Sequence, residues 1–433
     1  MAAAPAVPVA AVAGAATEPD RRPFLILAPH ASYRVAPFVR AAVRLGLAPV
    51  VASEGSGTLA APDTEAIRID FSNESQALAL LQELQERRPF AGVLGTDDLS
   101  APLAAAFAQR SGLRCNPPAS VSFSRRKDWA RVRLRAAGVR VPRFEIRDRR
   151  TAHATRAPDI PFPVVLKPVA MSASRGVMRA DDAASWRTAL ARLGAILDEV
   201  TEPEESAYVL VEQFIPGFEV ALEGLLQDSQ LTVLAVFDKP DPLDGPYFEE
   251  TYYITPSRLT PEVQRALACE VQKACAAYGL REGAVHAECR VNSEGVWILE
   301  VAARTIGGLC GRLLRFGTGR SLEEVMVAHA VGHAFTADTV PGAAGVLMLP
   351  IPRAGILSRV EGVLSASRVP YIEDLEISVR EGYELVPLPE GASYLGFVFA
   401  RGPTIESTEQ ALRSAHAHLR IVVQPLWKAH AAH

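Results

Sequence analysis

The sequence of residues 285–304 is VHAECRVNSEGVWILEVAAR, the strongest local pattern in the chain. Apolar and polar residues alternate on both sides of residues 292–295, which predicts two strands joined by a tight turn. Gly295, at the third loop position, suits a three-residue hairpin loop closed by a residue in the left-handed region. That register places Glu288 directly opposite Glu300. The sequence therefore predicts an antiparallel hairpin with two facing carboxylates.

Two carboxylates directly across a ladder repel each other unless a cation neutralises them. Mg²⁺, a hard cation that binds carboxylates, water and substrate phosphates, is the expected partner of Glu288 and Glu300. The two-residue period places His286 and Arg290 on the face of Glu288, and Arg304 on that of Glu300 if the strand extends so far. The alternative is an exposed hairpin with cross-strand ion pairs, which the many valines of the stretch disfavour.

Two upstream segments carry features of a phosphate-binding region, although the chain contains neither GxxxxGK[ST] nor a strand-linked GxGxxG. Residues 162–168, FPVVLKP, place Lys167 at the end of an apolar strand, where an unpaired lysine is rarely buried. Residues 171–177, MSASRGV, then supply hydroxyls, a guanidinium and backbone amides. Such donors suit a flexible cover over phosphates.

Residues 209–220, VLVEQFIPGFEV, form a strand, a bend and a new strand. The bend can present backbone groups to a purine edge, and Glu219 can accept hydrogen bonds from ribose hydroxyls. The alternative is an ordinary connection with a surface glutamate. Lysine usage adds a further clue, because only five of the 45 cationic residues are lysines. A compact point charge is therefore expected to matter at Lys127, Lys167 and Lys239.

The chain divides into three predicted units after an N-terminal tail, residues 1–22, that we expect to be disordered. Strands alternate with helices over 23–118, which predicts a small parallel sheet with residues 96–98 (Thr-Asp-Asp) at its ligand-binding carboxyl edge. Residues 119–335 form the second unit, with a lid at about 143–210, and begin with a basic helix at 125–137. Residues 340–433 are predicted to form a small α+β cap.

Composition excludes several classes of protein. The 433-residue chain has a formal net charge of −4, which argues against broad electrostatic binding of nucleic acid. No apolar run approaches the roughly 18 residues needed to span a membrane, and the first residues lack the basic region of a signal peptide. The five cysteines have no zinc-site or CxxC spacing. We therefore expect reduced thiols and a cytoplasmic location, and leave open whether the chain forms a homodimer.

Five motifs in a fixed order resemble those of the ATP-grasp superfamily, and within it the L-amino-acid ligases that form dipeptides. The motifs are Lys127 before AGVRVP (137–142), VLKP (165–168) with its Ser/Gly loop, VEQFIPGFE (211–219), HAE (286–288) and LEVAARTIGG (299–308). The resemblance covers nearly the whole chain. It implies an ATP-grasp fold, α/β with α+β parts: an N-terminal parallel-sheet domain, a two-lobed nucleotide-binding centre and a C-terminal α+β cap.

The resemblance also implies roles for individual residues. Lys127 and Lys167 would hold ATP phosphates, and Ser174 would close over them. Glu212, Gln213 and Ile215 would form the adenine hinge, and Glu219 would bind ribose. Glu288 and Glu300 would bind Mg²⁺ or Mn²⁺, Arg304 would steady an acyl-phosphate, and His286 would lie beside the reacting groups. Ala302 occupies the position where many ATP-grasp enzymes have a third, asparagine ligand, and the amino-acid ligase branch shares this difference.

The implied activity is ATP-dependent ligation of a carboxylic acid and an amine, expected to be two amino acids or an amino acid and a small amine. The loop at 238–251 is expected to border the substrate pocket. Glu249 or Glu250 would meet a substrate ammonium, and Lys239 or Arg304 a carboxylate, unless the loop is simply a solvated acidic one. Gly308 would leave room for the amine partner. The alternatives are a biotin-carboxylase-like enzyme and a non-catalytic nucleotide-binding protein.

Overall fold

The computed structural model describes residues 21–30, 32–55, 64–151, 156–317, 319–335, 338 and 341–426. The tail predicted at 1–22 lies outside these residues except for its last two. Within the described ranges, no helix has the length and apolar character needed to cross a membrane. The five cysteines are free thiols, as their spacing predicts.

The N-terminal unit is a four-stranded parallel sheet in the order β3-β2-β1-β4. The apolar run of β1 is buried along its whole length, as a central parallel strand requires. The chain leaves β4 at Thr96, so the polar residues 96–98 lie at the carboxyl edge, as predicted. The elements are β1 (Pro23–Leu27), α1 (Val35–Arg44), β2 (Ala48–Ser53), β3 (Glu65–Arg68), α2 (Glu74–Arg87), β4 (Gly92–Gly95) and α3 (Ala101–Arg110).

The single basic helix predicted at 125–137 is wrong in its bounds, because two helices meet there. α4 spans Pro118–Arg125 and α5 spans Lys127–Ala136. Arg126 between them has extended φ and ψ of −101° and 96°, which breaks the helical path. Lys127 thus begins a helix, and its backbone N–H donates to the carbonyl of Val169 at 2.8 Å.

The lid is a separate antiparallel sheet of four strands in the order β5-β8-β6-β7, covered by one helix. Trp186 and Leu193 of that helix are buried against the sheet. Asp182 begins the helix with a capping box that includes Ser185, which satisfies its first backbone N–H groups. The elements are β5 (Phe144–Asp148), β6 (Val164–Pro168), β7 (Met178–Ala180), α6 (Ala183–Leu197), α7 (Pro203–Ser206) and β8 (Tyr208–Gln213).

The central unit is built on antiparallel strands and two helices. Its long helix α8 begins at a Thr260 cap and ends at Gly279, whose φ of 80° closes the last turn as only glycine does readily. The elements are β9 (Phe218–Gln227), β10 (Gln230–Asp238), β11 (Tyr252–Thr255), α8 (Pro261–Tyr278), β12 (Gly283–Asn292), β13 (Gly295–Ala302), a short 3₁₀ helix (Cys310–Leu313) and α9 (Leu322–Ala330).

The C-terminal unit shares its main sheet with the central unit. Eight strands pair in the order β13-β12-β9-β10-β11-β14-β18-β16, so the last three continue the central sheet. A three-stranded sheet, β17-β15-β19, completes the unit. The elements are β14 (Ala343–Leu349), β15 (Gly355–Glu361), α10 (Val363–Ser367), β16 (Ile372–Ile377), β17 (Glu384–Leu385), β18 (Gly396–Gly402), α11 (Ile405–His418) and β19 (Arg420–Gln424).

The hairpin of β12 and β13 has the predicted pairing of Glu288 with Glu300 but not the predicted turn. Asn292 pairs with Gly295, so the loop contains two residues rather than three. The register shifts by one residue where Glu288 pairs with Glu300 but Cys289 pairs with Ile298. Leu299 is therefore an extra residue, a β-bulge, and it restores the facing of the two acids.

Candidate active site

One cavity of 860 Å³ lies where the N-terminal unit, the lid, the central sheet and the C-terminal strands meet. Most of the predicted site residues line it although they come from distant segments. These are Lys127, Lys167, Ser174, Glu212, Gln213, Ile215, Glu219, Glu250, His286, Glu288, Glu300, Arg304 and Gly308. Lys239 and Glu249 do not contribute to its wall.

The two lysines expected at the phosphates both line the cavity, and each is held by an acid. Lys127 Nζ is 3.2 Å from Glu300 Oε2 and donates to the carbonyl of Met171, at the start of the Ser174 loop, at 2.8 Å. Lys167 Nζ is 2.7 Å from Glu212 Oε2. Both ammonium groups are anchored while they face the cavity, as a cation that meets a phosphate should be.

Glu212 is a buried carboxylate shared by two cations. Its second oxygen accepts a hydrogen bond from the buried Arg131, which also donates to the carbonyl of Leu299 next to Glu300. Burial opposes the ionisation of Glu212, but Arg131 and Lys167 outweigh it, and the pKa falls from 4.5 to about 2. The side chain of Glu212 thus holds Arg131 and Lys167 together at this wall of the cavity.

We expect Glu212→Gln to destabilise the fold by about 3–5 kcal/mol at pH 7, because it removes the charge between the buried Arg131 and the partly buried Lys167. A carboxylate with a depressed pKa stabilises the fold above about pH 4.5, and this contribution is lost as the pH falls towards 2. Urea unfolding across that window should therefore show a weaker pH dependence in the variant. Glu199→Gln, in the exposed pair with Arg175, is the control. Equal stability of both variants would contradict this account.

The hinge after β8 is held by backbone hydrogen bonds. Gln213 N–H donates to the carbonyl of Arg143 at 2.8 Å, and Phe214 N–H donates to that of Pro163 at 3.1 Å. The carbonyl of Ile215 accepts from Arg290 Nη1 at 2.7 Å. The hinge is thus tied to the lid on one side and to β12 on the other.

Glu288 belongs to a cluster of three carboxylates. One oxygen from each of Glu219, Glu250 and Glu288 lies within 4.8 Å of the other two, a spacing that suits a metal ion. Lys239 Nζ lies among them, 2.9 Å from Glu219 and 3.7 Å from Glu288, and it also pairs with Glu250. Its side chain is 2% exposed. The predicted contact of Lys239 with substrate is therefore not supported, because the ammonium is enclosed by these acids.

The loop acids differ in position. Glu250 lines the cavity, and burial followed by the charge of Glu288 raises its pKa from 4.5 to about 7 against the effect of Lys239. Glu249 does not contribute to the cavity wall, and burial raises the pKa of its carboxyl. Of the two acids that were predicted as alternatives, Glu250 is the one that faces the pocket.

Glu219 is engaged by two cations. One oxygen meets Lys239, and the other accepts from Arg290 Nε at 2.9 Å. Arg290 lies on the predicted face of its strand, but its guanidinium points to Glu219 and to the carbonyls of Ile215 and Leu243. The ribose role expected of Glu219 would have to coexist with both contacts.

His286 lies between two acids at the cavity wall. Its Nε2 is 3.6 Å from Glu288 Oε1, and its Nδ1 is 3.3 Å from Glu223 Oε2. Glu223 is fully buried, and it also accepts from the backbone N–H of Ile306 at 3.1 Å. Burial lowers the pKa of His286, but the two acids outweigh it and the net shift is upward. Glu223 therefore holds the loop that carries Arg304 and lies beside the imidazole, whose buried Nδ1 has no hydrogen-bond partner among the described residues.

Arg304 lies in the loop beyond β13, which ends at Ala302, so the strand does not extend to it as one interpretation required. Its Nε donates to Asp98 Oδ2 at 2.9 Å, across to the carboxyl edge of the N-terminal sheet. Burial works against the charge of Arg304, but Asp98 and Glu300 stabilise it and raise the pKa. Asp98 Oδ1 is buried without a protein partner.

Gly308 lies in the cavity wall, and its role in leaving room for the amine partner stays a prediction. Gly308 has a φ of 58°, and its N–H donates to the Tyr33 hydroxyl at 3.1 Å. A Cβ built on Gly308 would lie 2.3 Å from Met348 Sδ and 3.5 Å from Cys310 Sγ. The side chain of Met348 already occupies that space.

The lid is fastened to the C-terminal unit over the cavity. Arg192 forms a two-point ion pair with Glu390, with one contact of 2.8 Å, and also bonds to the Tyr247 hydroxyl. Arg175 Nε donates to the carbonyl of Glu390 at 2.8 Å, and Gly176 N–H donates to that of Pro389 at 2.8 Å. These contacts hold the lid against the C-terminal unit, and a closed lid limits the access of water to a cavity.

Comparison with known proteins identifies the architecture. An ATP-grasp N-terminal domain matches residues 39–113, an ATP-grasp domain matches residues 160–312, and the L-amino acid ligase C-terminal domain 2 matches residues 347–424. The chain belongs to the ATP-grasp superfamily. This membership and the parallel and antiparallel sheets confirm the predicted fold class.

Relatives of this ATP-grasp chain include proteins of known and unknown activity. An uncharacterised protein of Sinorhizobium fredii is 25% identical over 91% of this chain and 81% of its own length. Alanine–anticapsin ligase of Bacillus subtilis is 27% identical over 48% of this chain and 46% of its own, so the match spans under half of that ligase. A solved L-amino acid ligase from Bacillus licheniformis, 24% identical, shares the fold with a TM-score of 0.78 over 93% of this chain and 99% of its own.

Three residues of this ATP-grasp site were missing from the predicted set. Asp98 lies in a segment that the sequence marked as a ligand-binding edge, but nothing there indicated its pairing with Arg304. Glu223 interrupts the otherwise apolar strand FEVALEGLLQ, which is the signal that could have found it. Arg131 is one of several arginines in α5 and carried no such signal, because its burial depends on β8 and β13 packing around it.

Proposed function

We propose that this ATP-grasp protein is an ADP-forming ligase that joins an amino acid to a second amino acid or small amine through an acyl-phosphate. The observation that carries the proposal is the convergence of Lys127, Lys167, Glu288, Glu300 and Arg304 on one lid-covered cavity. The match of the C-terminal unit to an L-amino acid ligase domain supports the amide-forming branch.

The proposed chemistry proceeds in two transfers. A carboxylate oxygen of the acid attacks the γ-phosphorus of ATP, and ADP leaves. The amine nitrogen then attacks the carbonyl carbon of the acyl-phosphate, loses a proton, and expels phosphate that retains the attacking carboxylate oxygen. Cations that meet the developing charge provide most of the catalysis. No protein nucleophile takes part.

The carboxylates of the cavity fit a hard divalent cation. Glu288 and Glu300 reach the wall from facing strand positions, and Glu219 and Glu250 lie close to Glu288. We propose that Glu288 and Glu300 hold Mg²⁺ or Mn²⁺, which when bound would neutralise phosphate charge. Lys127 pairs with Glu300 as Lys239 does with Glu288, so each acid retains its position through a neighbouring ammonium.

The remaining site residues receive roles consistent with their positions. Lys127, Lys167 and Ser174 are proposed to contact phosphates, and the 212–215 hinge to contact adenine. Glu250 is the proposed partner of a substrate α-ammonium, and Arg304 that of the acyl-phosphate. We propose a cytoplasmic enzyme that acts on small molecules.

The experiment that tests this function is phosphate release from ATP over paired amino acids, with mass spectrometry of the products. We expect ADP, phosphate and a dipeptide or amino-acid amide. Bicarbonate-dependent carboxylation of free biotin would instead support the biotin-carboxylase alternative. Absence of ADP formation across a broad panel of acids and amines would favour a non-catalytic nucleotide-binding protein.

We expect Lys167→Ala and Lys127→Ala each to raise the KM for ATP about 10-fold and to lower kcat, because charged contacts to phosphate persist into the transition state. Steady-state kinetics with varied ATP measures both constants. Lys273→Ala is the matched control, since Lys273 pairs with Glu270 on the exposed face of α8. Unchanged constants in either site variant would remove that lysine from the phosphate site.

A further inference from the structure

The cavity wall around Gly308 carries a group of neighbouring apolar side chains, with Arg34 and Glu250 beside them. Six residues from three regions form this apolar bay: Tyr33, Leu309, Cys310, Met348, Tyr394 and Phe397. Tyr33 comes from the N-terminal unit, and Met348 and Phe397 face each other across β14 and β18. Cys310 and Met348 are almost completely buried, with exposures of 1% and 2%. No component of the proposed chemistry uses this bay.

Met348 is held by its backbone but not by its side chain. Its N–H donates to the carbonyl of Thr251 at 2.7 Å, which joins β14 to the end of the loop that carries Glu250. The thioether lies in the cavity wall, with its Sδ beside Gly308. An unbranched methionine adapts to its neighbours better than a branched residue, so the wall that it forms can yield to ligands of several sizes.

Residue 308 cannot set the size of the bay by itself. Its φ of 58° favours glycine, and any side chain there would displace Met348 Sδ. The bay is also continuous with the region of Glu250 and Arg304, which line the same cavity. An amino acid held there by its charged groups would have an apolar wall available for its side chain.

We propose that the apolar bay receives the apolar side chain of an amino-acid substrate and that Met348 is the residue that determines how large this side chain can be. The proposal rests on the proposed function for the class of ligand, an α-amino acid. The role of determining substrate specificity is thus assigned to residue 348, in the C-terminal unit, and not to residue 308.

Equilibrium binding tests this inference without requiring turnover. The full chain, with Mg²⁺ and a non-hydrolysable ATP analogue, is titrated calorimetrically with glycine and L-alanine, valine, leucine, phenylalanine and tryptophan, and with L-aspartate and L-lysine. We expect the apolar amino acids to bind more tightly than the two charged ones. Met348→Ala should shift the affinity ratio of tryptophan to alanine about 10- to 100-fold towards tryptophan, because the pocket gains the volume of three heavy atoms.

Two further variants are controls, one for misfolding of the alanine variant and one for effects of substitution that do not depend on side-chain volume. Met348→Leu conserves volume and should keep the ratio within about threefold of the wild type. Met348→Val removes less volume than Met348→Ala and should shift the affinity ratio in the same direction by a smaller factor. It replaces the alanine variant in the test if that variant fails to fold. Three results would overturn the proposal. The tryptophan-to-alanine affinity ratio could stay unchanged in folded Met348→Ala or Met348→Val. Aspartate or lysine could bind as tightly as the apolar amino acids, or the wild type could bind no amino acid at all.

The outcome also separates this inference from the proposed function. Selective binding that depends on Met348, with no phosphate release or amide product, would leave the bay standing and reject the ligase. Amide formation with an affinity ratio that does not change when residue 348 is substituted would support the ligase and reject the role of Met348.

Discussion

Glu288→Gln and Glu300→Gln should each reduce turnover about 10³-fold while the protein remains folded. Each substitution keeps the shape of the side chain but removes the negative charge proposed to hold the divalent cation. The two acids face each other across the hairpin, so the loss of either leaves the pair with one charge. Phosphate release at saturating and at limiting Mg²⁺ measures the effect, and near-ultraviolet circular dichroism reports the fold.

Glu294→Gln is the matched control, because Glu294 lies in the exposed turn of the same hairpin. It should keep the activity of the wild type at every Mg²⁺ concentration. Near-normal turnover of Glu288→Gln or Glu300→Gln at limiting Mg²⁺ would contradict the assignment of that residue as a metal ligand.

Arg304→Lys should lower kcat/KM about 100-fold even though it conserves the charge. A guanidinium can keep its Nε bond to Asp98 while other N–H groups face a phosphate or carboxylate, whereas an ammonium offers a single point of charge. Because the interaction is proposed to strengthen in the transition state, the loss should appear mainly in kcat.

Arg359→Lys, at an exposed pair with Glu361, is the control for the substitution and should be silent. Steady-state kinetics over both substrates separates kcat from KM. A kcat within about twofold of the wild type would reduce Arg304 to a structural link between the central loop and the N-terminal sheet.

The sequence predicted the fold best where the pattern is local. Alternation in β12 and β13 identified the hairpin, and its facing acids were predicted even though the turn was not. The reason is that two local deviations cancel: the loop is one residue shorter than expected, and the bulge at Leu299 restores the register before Glu300. The spacing of apolar residues alone does not reveal such a bulge, because it depends on packing against neighbouring strands.

The surroundings of two predicted substrate residues depend on contacts that are distant in sequence. Lys239 or Arg304 was expected to meet a substrate carboxylate, but Lys239 is enclosed by acids from β9, β12 and the loop before β11. Gly308 lines the cavity, but the sequence did not indicate that Met348, forty residues further on, lies beside it. The type of a residue tells which chemistry its side chain can perform. The direction in which the side chain points depends on how several helices and strands pack together.

Transfer of oxygen from the acid to phosphate would demonstrate the proposed acyl-phosphate. The acid found in the substrate screen, labelled with ¹⁸O in both carboxylate oxygens, is turned over with ATP and its amine partner. We expect one ¹⁸O in each molecule of phosphate released and one in the amide carbonyl, because the bridging oxygen of the acyl-phosphate leaves with phosphorus. Unlabelled phosphate, formed at the same rate as amide, would contradict an acyl-phosphate intermediate.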